Sequence, residues 1–212
     1  MNQEKYNELC ELINSESMDA WYSKTYQIFK GQKISNEDDF IRLVAFAYSW
    51  MPTIPGWRCG LNWKACEKAL TKLESRESEA LKEILQLIVP SINNSIVGAS
   101  KVLHFAFPDQ VPIIDSNVVI GWRALFFPTG VRGQNNGDVA ALPSDFGAYG
   151  SDDKKREKHI DLYIKYSKNL TEWSNTLNEV SINEVSIRDI ETRLYLLGKR
   201  MSDDVKKAHE AN

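Results

Sequence analysis

Apolar residues recur three and four positions apart along most of this chain, and apolar–polar alternation never extends beyond three residues. The first pattern places apolar side chains on one face of an α-helix, whereas a half-buried strand needs the second. The sequence therefore predicts an all-α fold. Six stretches have the helical spacing, namely residues 4–14, 18–30, 63–74, 77–89, 116–127 and 154–180.

Three further helices are delimited by residues that start or stop helices. Ser35, with Asp38 three residues later, is typical of a capping box, and the helix that it opens stops at the next proline. A second, strongly apolar helix ends before Pro108. The last core helix is predicted to begin at Ser186 and to end at Gly198.

The length and composition predict a single all-α domain over residues 1–212. A glycine-rich loop insertion at residues 128–152 and a charged, frayed tail at residues 202–212 are expected outside its helices. The chain has no apolar run of the roughly 18 residues that a membrane span needs, and its polar N-terminus lacks a signal-peptide core. A cytoplasmic location is therefore expected. Three cysteines without a CxxC pair argue against disulfides, a metal centre and an iron–sulfur cluster, so we expect no cofactor.

The formal net charge of -3 is unlike that of a strong nucleic-acid binder, so a DNA-binding surface would have to be a local patch. The densest basic cluster contains Lys154, Lys155 and Arg156, directly after the glycine-rich loop. Such a charge run is usually a solvated helix face. These three side chains are nevertheless candidates for contacts with backbone phosphates of a nucleic acid.

Asp115 stands between the extended segment 112–114 and the apolar helix that starts at Ser116. Its simplest interpretation is a helix N-cap, whose side chain accepts backbone N–H bonds and stabilises the helix by about 1 kcal/mol. Aspartate before an apolar helix is far more often a cap than a catalytic group. From spacing alone, Asp115 is therefore interpreted as structural.

The segment FAFPDQVPIIDSNV, residues 105–118, resembles the active-site segment of helix–hairpin–helix DNA glycosylases of the endonuclease III and 8-oxoguanine glycosylase type. That family reads Pro-Val-Asp-Thr-His-Val at the start of a helix. Pro112 falls on the family's proline, with one additional isoleucine, and Asp115 falls on its catalytic aspartate. The threonine, histidine and valine of the family correspond to Ser116, Asn117 and Val118.

The resemblance implies a helix–hairpin–helix glycosylase-like helical domain with its active site at the start of this helix. Asp115 would stabilise positive charge on the deoxyribose as a modified or damaged base leaves, and would orient the attacking water. The target nucleotide must first leave the base stack, which requires a pocket and a wedge. The residues expected to shape the pocket or to contact the extruded base and the backbone are His104, Ser116, Asn117, Trp57 and Arg58.

The hairpin of that family reads Leu-Pro-Gly-Val-Gly and is often followed by a catalytic lysine. The corresponding stretch SIVGASK, residues 95–101, has only Gly98. Alignment backward from Asp115 places Lys101 in the middle of a helix, where it is a candidate for substrate contact but not for the family's lysine. We therefore expect direct hydrolysis by a monofunctional glycosylase, and not a lysine Schiff base.

Each candidate also has a structural explanation. His104 has no second metal-type residue near it and is more often a core histidine than a ligand. The large aromatic residues Trp50, Trp57 and Trp63 lie near helix ends, where they usually pack into a core or lid.

The alternative function is a non-catalytic member of the same fold, which binds nucleic acid or a protein partner through residues 128–152. A chance likeness in an unrelated all-α interaction protein is the third option. The base and the oligomeric state stay open.

Overall fold

A computed structural model describes residues 1–13, 16–51, 53–56, 60–130, 137–146, 149, 152–180 and 183–210. The residues so described form nine α-helices and no β-strand, which confirms the predicted all-α fold. None of these helices combines the length and the apolar composition that crossing a membrane requires. The helices are α1 (Gln3–Ile13), α2 (Ala20–Phe29), α3 (Glu37–Tyr48), α4 (Trp63–Glu74), α5 (Ala80–Ser91), α6 (Ile96–Ala106), α7 (Ser116–Phe126), α8 (Asp153–Val180) and α9 (Ile187–Glu210).

Side-chain caps fix the start of four helices. In α3, α4, α6 and α7 the cap accepts a hydrogen bond from the backbone N–H three residues later, and the caps are Asn36, Asn62, Ser95 and Asp115. Each such cap stabilises its helix by about 1 kcal/mol. The capping box of α3 lies one residue beyond the predicted position. Asn36 is the cap, and the backbone N–H of Ser35 donates to Asp39 instead of Asp38.

Two helices extend past their predicted ends. Pro90 lies in the last turn of α5, which ends at Ser91. Gly198 does not stop α9, which continues to Glu210 through most of the tail that the sequence suggested would be frayed. The φ angle of Gly198 is not positive, so this glycine lacks the left-handed conformation that ends helices.

The chain divides into two compact units, each assembled from separate segments. Unit 1 contains Met1–Asp19, Ile114–Phe146 and Lys165–Asn212. Unit 2 contains Ala20–Ile113 and Gly147–Ile164. Unit 1 therefore holds α1, α7, α9 and the second part of α8, while unit 2 holds α2 to α6 and the first part of α8. A single domain over the whole chain stays a prediction.

Unit 1 is organised around a close crossing of α7 and α9. A Cβ atom on Gly198 would lie 2.6 Å from the carbonyl carbon of Asn117, and one on Gly121 would lie 2.9 Å from the carbonyl carbon of Leu194. Carbon atoms in contact are normally about 3.5–4.0 Å apart. The two glycines therefore allow the backbones of the two helices to touch.

Three side-chain hydrogen bonds attach α1 to α8 and α9 within the same unit. Trp173 donates its indole N–H to the Asn2 carbonyl at 3.1 Å, Arg193 donates to the Tyr6 hydroxyl at 2.9 Å, and Arg200 donates to the Leu12 carbonyl at 2.7 Å. The apolar face of α1, which includes Leu9 and Ile13, is buried. The first helix is thus an integral part of the core of unit 1.

The described part of the glycine-rich loop in unit 1, residues 137–146, is held by α7 and α8. The backbone N–H of Ala140 donates to the Asn169 side chain at 2.9 Å, and the Ala140 carbonyl accepts the indole N–H of Trp122 at 2.7 Å. Ala140 and Leu142 are fully buried. Ala140 and Leu142 therefore anchor this part of the loop in the core, while residues 137, 138, 144 and 145 are exposed.

In unit 2, α3 packs against α6, and α5 packs against both α4 and α6. Large apolar side chains fill its interior, among them Phe40, Ile84 and Phe105. Gly98 lies in the first turn of α6, where a Cβ atom would come within 2.9 Å of the Tyr48 ring carbon Cζ. The glycine that we matched to the family's hairpin therefore serves the packing of α3 against α6.

Candidate functional site

Asp115 is the N-cap of α7. The buried residues Ile113 and Ile114 fix the chain that leads into the helix, and the backbone of Asp115 is extended. Its Oδ1 atom accepts the backbone N–H of Val118 at 3.0 Å, and the residue is half-buried. The capping role is thus observed, and the carboxylate is held at the positive end of the helix dipole. A catalytic role stays a prediction.

The two residues after Asp115 begin α7. Ser116 is exposed and Asn117 is half-buried. The Asn117 carbonyl lies against Gly198 of α9, at the close crossing. Since Asn117 belongs to the first turn of α7, α9 helps to fix the position of the Asp115 carboxylate.

His104 is fully buried in unit 2, and both of its ring nitrogens have hydrogen-bond partners. Nδ1 lies 2.6 Å from the Val111 carbonyl, and Nε2 lies 3.1 Å from the Tyr26 hydroxyl. A carbonyl only accepts, so Nδ1 carries a proton, and in the neutral imidazole Nε2 then accepts from the tyrosine hydroxyl. These contacts are those of a structural histidine that fixes the chain just before Pro112. Its role in shaping a substrate pocket stays a prediction.

Lys101 is buried near the middle of α6, as the alignment backward from Asp115 expects. Of the residues predicted to contact the base or the backbone, Trp57 and Arg58 lie outside the part of the chain that the structure describes. Trp50 is half-buried and meets Phe105 edge to face, with ring centroids 5.0 Å apart. Trp63 is half-buried and packs on Phe40, with ring centroids 6.1 Å apart. Trp50 and Trp63 therefore have the aromatic packing contacts that are expected of core or lid residues.

The basic cluster lies in the first turn of α8, within unit 2. Lys154 is exposed and Lys155 is half-buried, whereas the side chain of Arg156 is only 14% exposed. Arg156 donates to Asp153 at 2.6 Å and to the Asn94 side chain at 3.3 Å. It turns inward because it lies three and four positions before the buried residues 159 and 160, on the same face of the helix. Arg156 is therefore held by contacts within the protein, and phosphate binding by the three basic residues stays a prediction.

The loop between α5 and α6 has a conformation that the sequence analysis missed. Asn93 and Asn94 have φ angles of 53° and 50°, so two successive residues without a glycine occupy the left-handed region. Asparagine tolerates this region better than most residues, and the dipeptide could have indicated such a turn. This turn joins α5 to α6 without a glycine and leads to the Ser95 cap.

Asn93 also clamps the distant segment 54–56. Its side chain donates to the Ile54 carbonyl at 2.9 Å and accepts the backbone N–H of Gly56, while its own backbone N–H donates to the Gly56 carbonyl at 3.0 Å. Arg156 reaches the neighbouring Asn94 from α8. These hydrogen bonds join Ile54, Gly56, Asn93, Asn94 and Arg156 into one cluster within unit 2, which we call the asparagine clamp.

Other chemistry in the described residues is limited. They contain no group of three or more histidine, cysteine, aspartate or glutamate residues that could hold a metal ion. Burial, and secondarily the charge of Glu37, raises the pKa of the Cys66 thiol to about 11, so this cysteine is a poor nucleophile.

A cavity of about 450 Å³ in unit 2 lies between the loop 31–35, α4 and the end of α6. Trp63 lines that cavity, whereas the other candidate residues that the structure describes do not.

Comparisons of this chain with known protein families, with characterised proteins and with solved structures yield no match. The candidate catalytic residue is accordingly defined by its own geometry: Asp115 is the half-buried N-cap at the start of α7 in unit 1.

Proposed function

We propose that this protein is a DNA glycosylase-like enzyme that hydrolyses the N-glycosidic bond of a modified or damaged base, with Asp115 as its catalytic carboxylate. One observation carries the proposal. In the segment that resembles the glycosylase family, Asp115 is half-buried and its Oδ1 atom accepts the Val118 N–H at the start of α7.

The chemistry of glycosidic cleavage suits a carboxylate held in this way. As the base leaves, the deoxyribose acquires oxocarbenium character, and a fixed negative charge close to the sugar stabilises that charge. The same carboxylate orients the water that attacks the anomeric carbon. Lys101 is buried in the middle of α6, so the proposed reaction uses water and no lysine Schiff base.

The second candidate is a non-catalytic protein of the same fold that binds nucleic acid. The basic cluster favours it, because the exposed Lys154 and the half-buried Lys155 lie in the first turn of α8. The loop 128–152 supports it less, since the described residues Ala140 and Leu142 are buried in unit 1. In this candidate, Asp115 is only a helix cap.

The decisive experiment is the variant Asp115→Asn, because asparagine caps a helix as well as aspartate does and the fold should persist. Release of free base is measured by mass spectrometry from DNA duplexes that contain 8-oxoguanine, uracil or 3-methyladenine. We expect the variant to lose about 100-fold or more of the release rate, the usual effect of removing one group that stabilises transition-state charge. The matched control is Asp109→Asn, at an exposed aspartate of the same segment, which should release base at the wild-type rate.

Two outcomes separate the candidates. Full base release by Asp115→Asn would refute the catalytic assignment. DNA binding that weakens steeply with salt, in the absence of any base release by the wild-type protein, would favour the binding function because each phosphate contact releases counterions.

A further inference from the structure

We propose that the cavity of about 450 Å³ in unit 2 binds a small zwitterion with an apolar body, of the dipeptide type. This inference is independent of the proposed function, because Asp115 belongs to unit 1 and does not line the cavity. The volume is within the range of about 300–1,000 Å³ that is usual for small-molecule sites. The lining residues come from the loop 31–35, from α4 and from the end of α6.

The loop 31–35 is a fixed wall of this cavity, because both of its ends are held. Gln32 donates its backbone N–H to the Phe105 carbonyl of α6 at 3.0 Å. The backbone N–H of Ser35 donates to the Asp39 carboxylate of α3 at 3.1 Å. Since bonds within the protein hold this wall, binding of a ligand needs little additional ordering of the loop.

Apolar side chains supply part of the lining. The α4 residues that line the cavity recur three and four positions apart, so they form one face of the helix. On this face Leu70 is buried, and Trp63 is half-buried and packs on Phe40. Phe107, at the end of α6, adds a second half-buried ring. An apolar ligand body can therefore be removed from water against two rings and an aliphatic side chain.

Opposite charges line the same cavity without pairing with each other. Lys33 lies on the loop, whereas Glu67 and Glu74 lie on α4, two helical turns apart. All three side chains are exposed, and none of them makes an ion pair or a side-chain hydrogen bond within the described part of the chain. The carboxylate of a ligand is therefore expected at Lys33, and its ammonium group at the glutamates.

A zwitterion matches this lining better than a simple cation or anion does. A cation at the glutamates would be repelled by Lys33, and an anion at Lys33 would be repelled by two carboxylates. A zwitterion gives each charge an opposite partner. A dipeptide with large side chains also covers the apolar part of the lining, which a smaller zwitterion such as diglycine leaves exposed to water.

Isothermal titration calorimetry near neutral pH tests the proposal with three forms of one dipeptide. Phe-Leu carries both charges, N-acetyl-Phe-Leu carries only the negative charge, and Phe-Leu amide carries only the positive charge. We expect one Phe-Leu to bind per chain, about tenfold more tightly than either blocked form, because a hydrogen bond between charged groups typically changes an equilibrium constant by about that factor. Gly-Gly should bind about tenfold more weakly than Phe-Leu, or less tightly still.

Variants that remove charge assign the two poles of the ligand. Lys33→Gln should weaken the binding of Phe-Leu and N-acetyl-Phe-Leu by about fivefold or more, and should not weaken that of the amide. The double variant Glu67→Gln/Glu74→Gln should weaken Phe-Leu and the amide, and should not weaken the acetylated form. The matched controls are Lys168→Gln and Glu172→Gln, at exposed residues of α8 that do not line the cavity, and they should leave every affinity unchanged.

Thermal unfolding checks that each variant is folded. Failure of Phe-Leu to bind at millimolar concentration would overturn the proposal. If the amide binds as tightly as Phe-Leu, the cavity is a cation site; if the acetylated form does, it is an anion site, and either result contradicts a zwitterion site. Binding that the charge variants leave unchanged would place the dipeptide elsewhere on the protein, and the proposal would fail.

Discussion

Substitution of Gly198 by alanine tests whether the crossing of α7 and α9 is as tight as the structure indicates. The added Cβ atom would lie 2.6 Å from the Asn117 carbonyl carbon. A normal carbon–carbon contact needs about 3.5 Å, and the Asn117 carbonyl oxygen lies closer still, so α9 must withdraw by at least about 1 Å. No side-chain rotation can relieve this contact, because the colliding atoms of Asn117 belong to the backbone.

The size of the effect follows from two opposing contributions. Overpacking of a core costs about 1–3 kcal/mol, and a clash with backbone belongs at the upper end of that range. Alanine is favoured over glycine in a helix by about 1 kcal/mol. The net expectation is a loss of about 2 kcal/mol of unfolding free energy. For a chain of this size, that loss lowers Tm by roughly 4–8 °C.

Urea unfolding followed by far-ultraviolet circular dichroism measures this difference directly. Gly60→Ala is the matched control, because no atom lies within 4 Å of a Cβ at Gly60 and its φ angle is not positive. It should change the unfolding free energy by less than about 0.5 kcal/mol. A Gly198→Ala protein as stable as wild type would refute the close crossing. A functional effect is also expected, since withdrawal of α9 frees the first turn of α7, and base release should fall together with stability.

Three further predictions follow from buried groups. Native protein treated with iodoacetamide at pH 8 should be alkylated at the half-buried Cys10 much faster than at the buried Cys66, as peptide mass spectrometry would show; equal rates would contradict the burial of Cys66. Burial raises the pKa of the Cys66 thiol from an ordinary 9.0 to about 11, so its contribution to stability is complete below pH 9 and is lost as pH rises to about 11. Between pH 9 and pH 11, the unfolding free energy of Cys66→Ala should therefore fall by about 2 kcal/mol less than that of the wild type. Parallel profiles of unfolding free energy against pH would argue against the raised pKa of Cys66. Asn169→Ala should accelerate limited proteolysis within residues 137–146, because it leaves the Ala140 N–H without its acceptor; unchanged cleavage would show that Trp122 suffices to hold the segment.

Most helices of this chain can be predicted from its sequence, because apolar periodicity and local caps determine them. Ser186 illustrates the local signal: it was expected to open the last helix, and its hydroxyl accepts the Asp189 N–H while Asp189 accepts the Ser186 N–H in return. Errors arose where packing overrides a local preference. Gly198 resembles a helix stop, yet α9 continues through it because the crossing with α7 needs a residue without a side chain.

The candidate site was less predictable, because its contacts join distant parts of the chain. Asp115 was identifiable as a cap from its position alone, and the structure shows the expected bond to Val118. The clamp of Asn93 on Ile54 spans 39 residues and has no local signature. The inward direction of Arg156 is likewise invisible in a run of basic residues, since it depends on which face of α8 is buried.

The attachment of α1 to α9 has a consequence for how the protein is made. Tyr6 bonds to Arg193, which is translated 187 residues later. At about 5–20 residues per second, the ribosome supplies that partner roughly 10–40 s after α1 has been synthesised. Unit 2 is different, because the continuous stretch Ala20–Ile113 provides five of its helices early. During synthesis, α1 therefore cannot make its contacts with α9 until the end of the chain has been translated, whereas the continuous helices of unit 2 can pack together earlier.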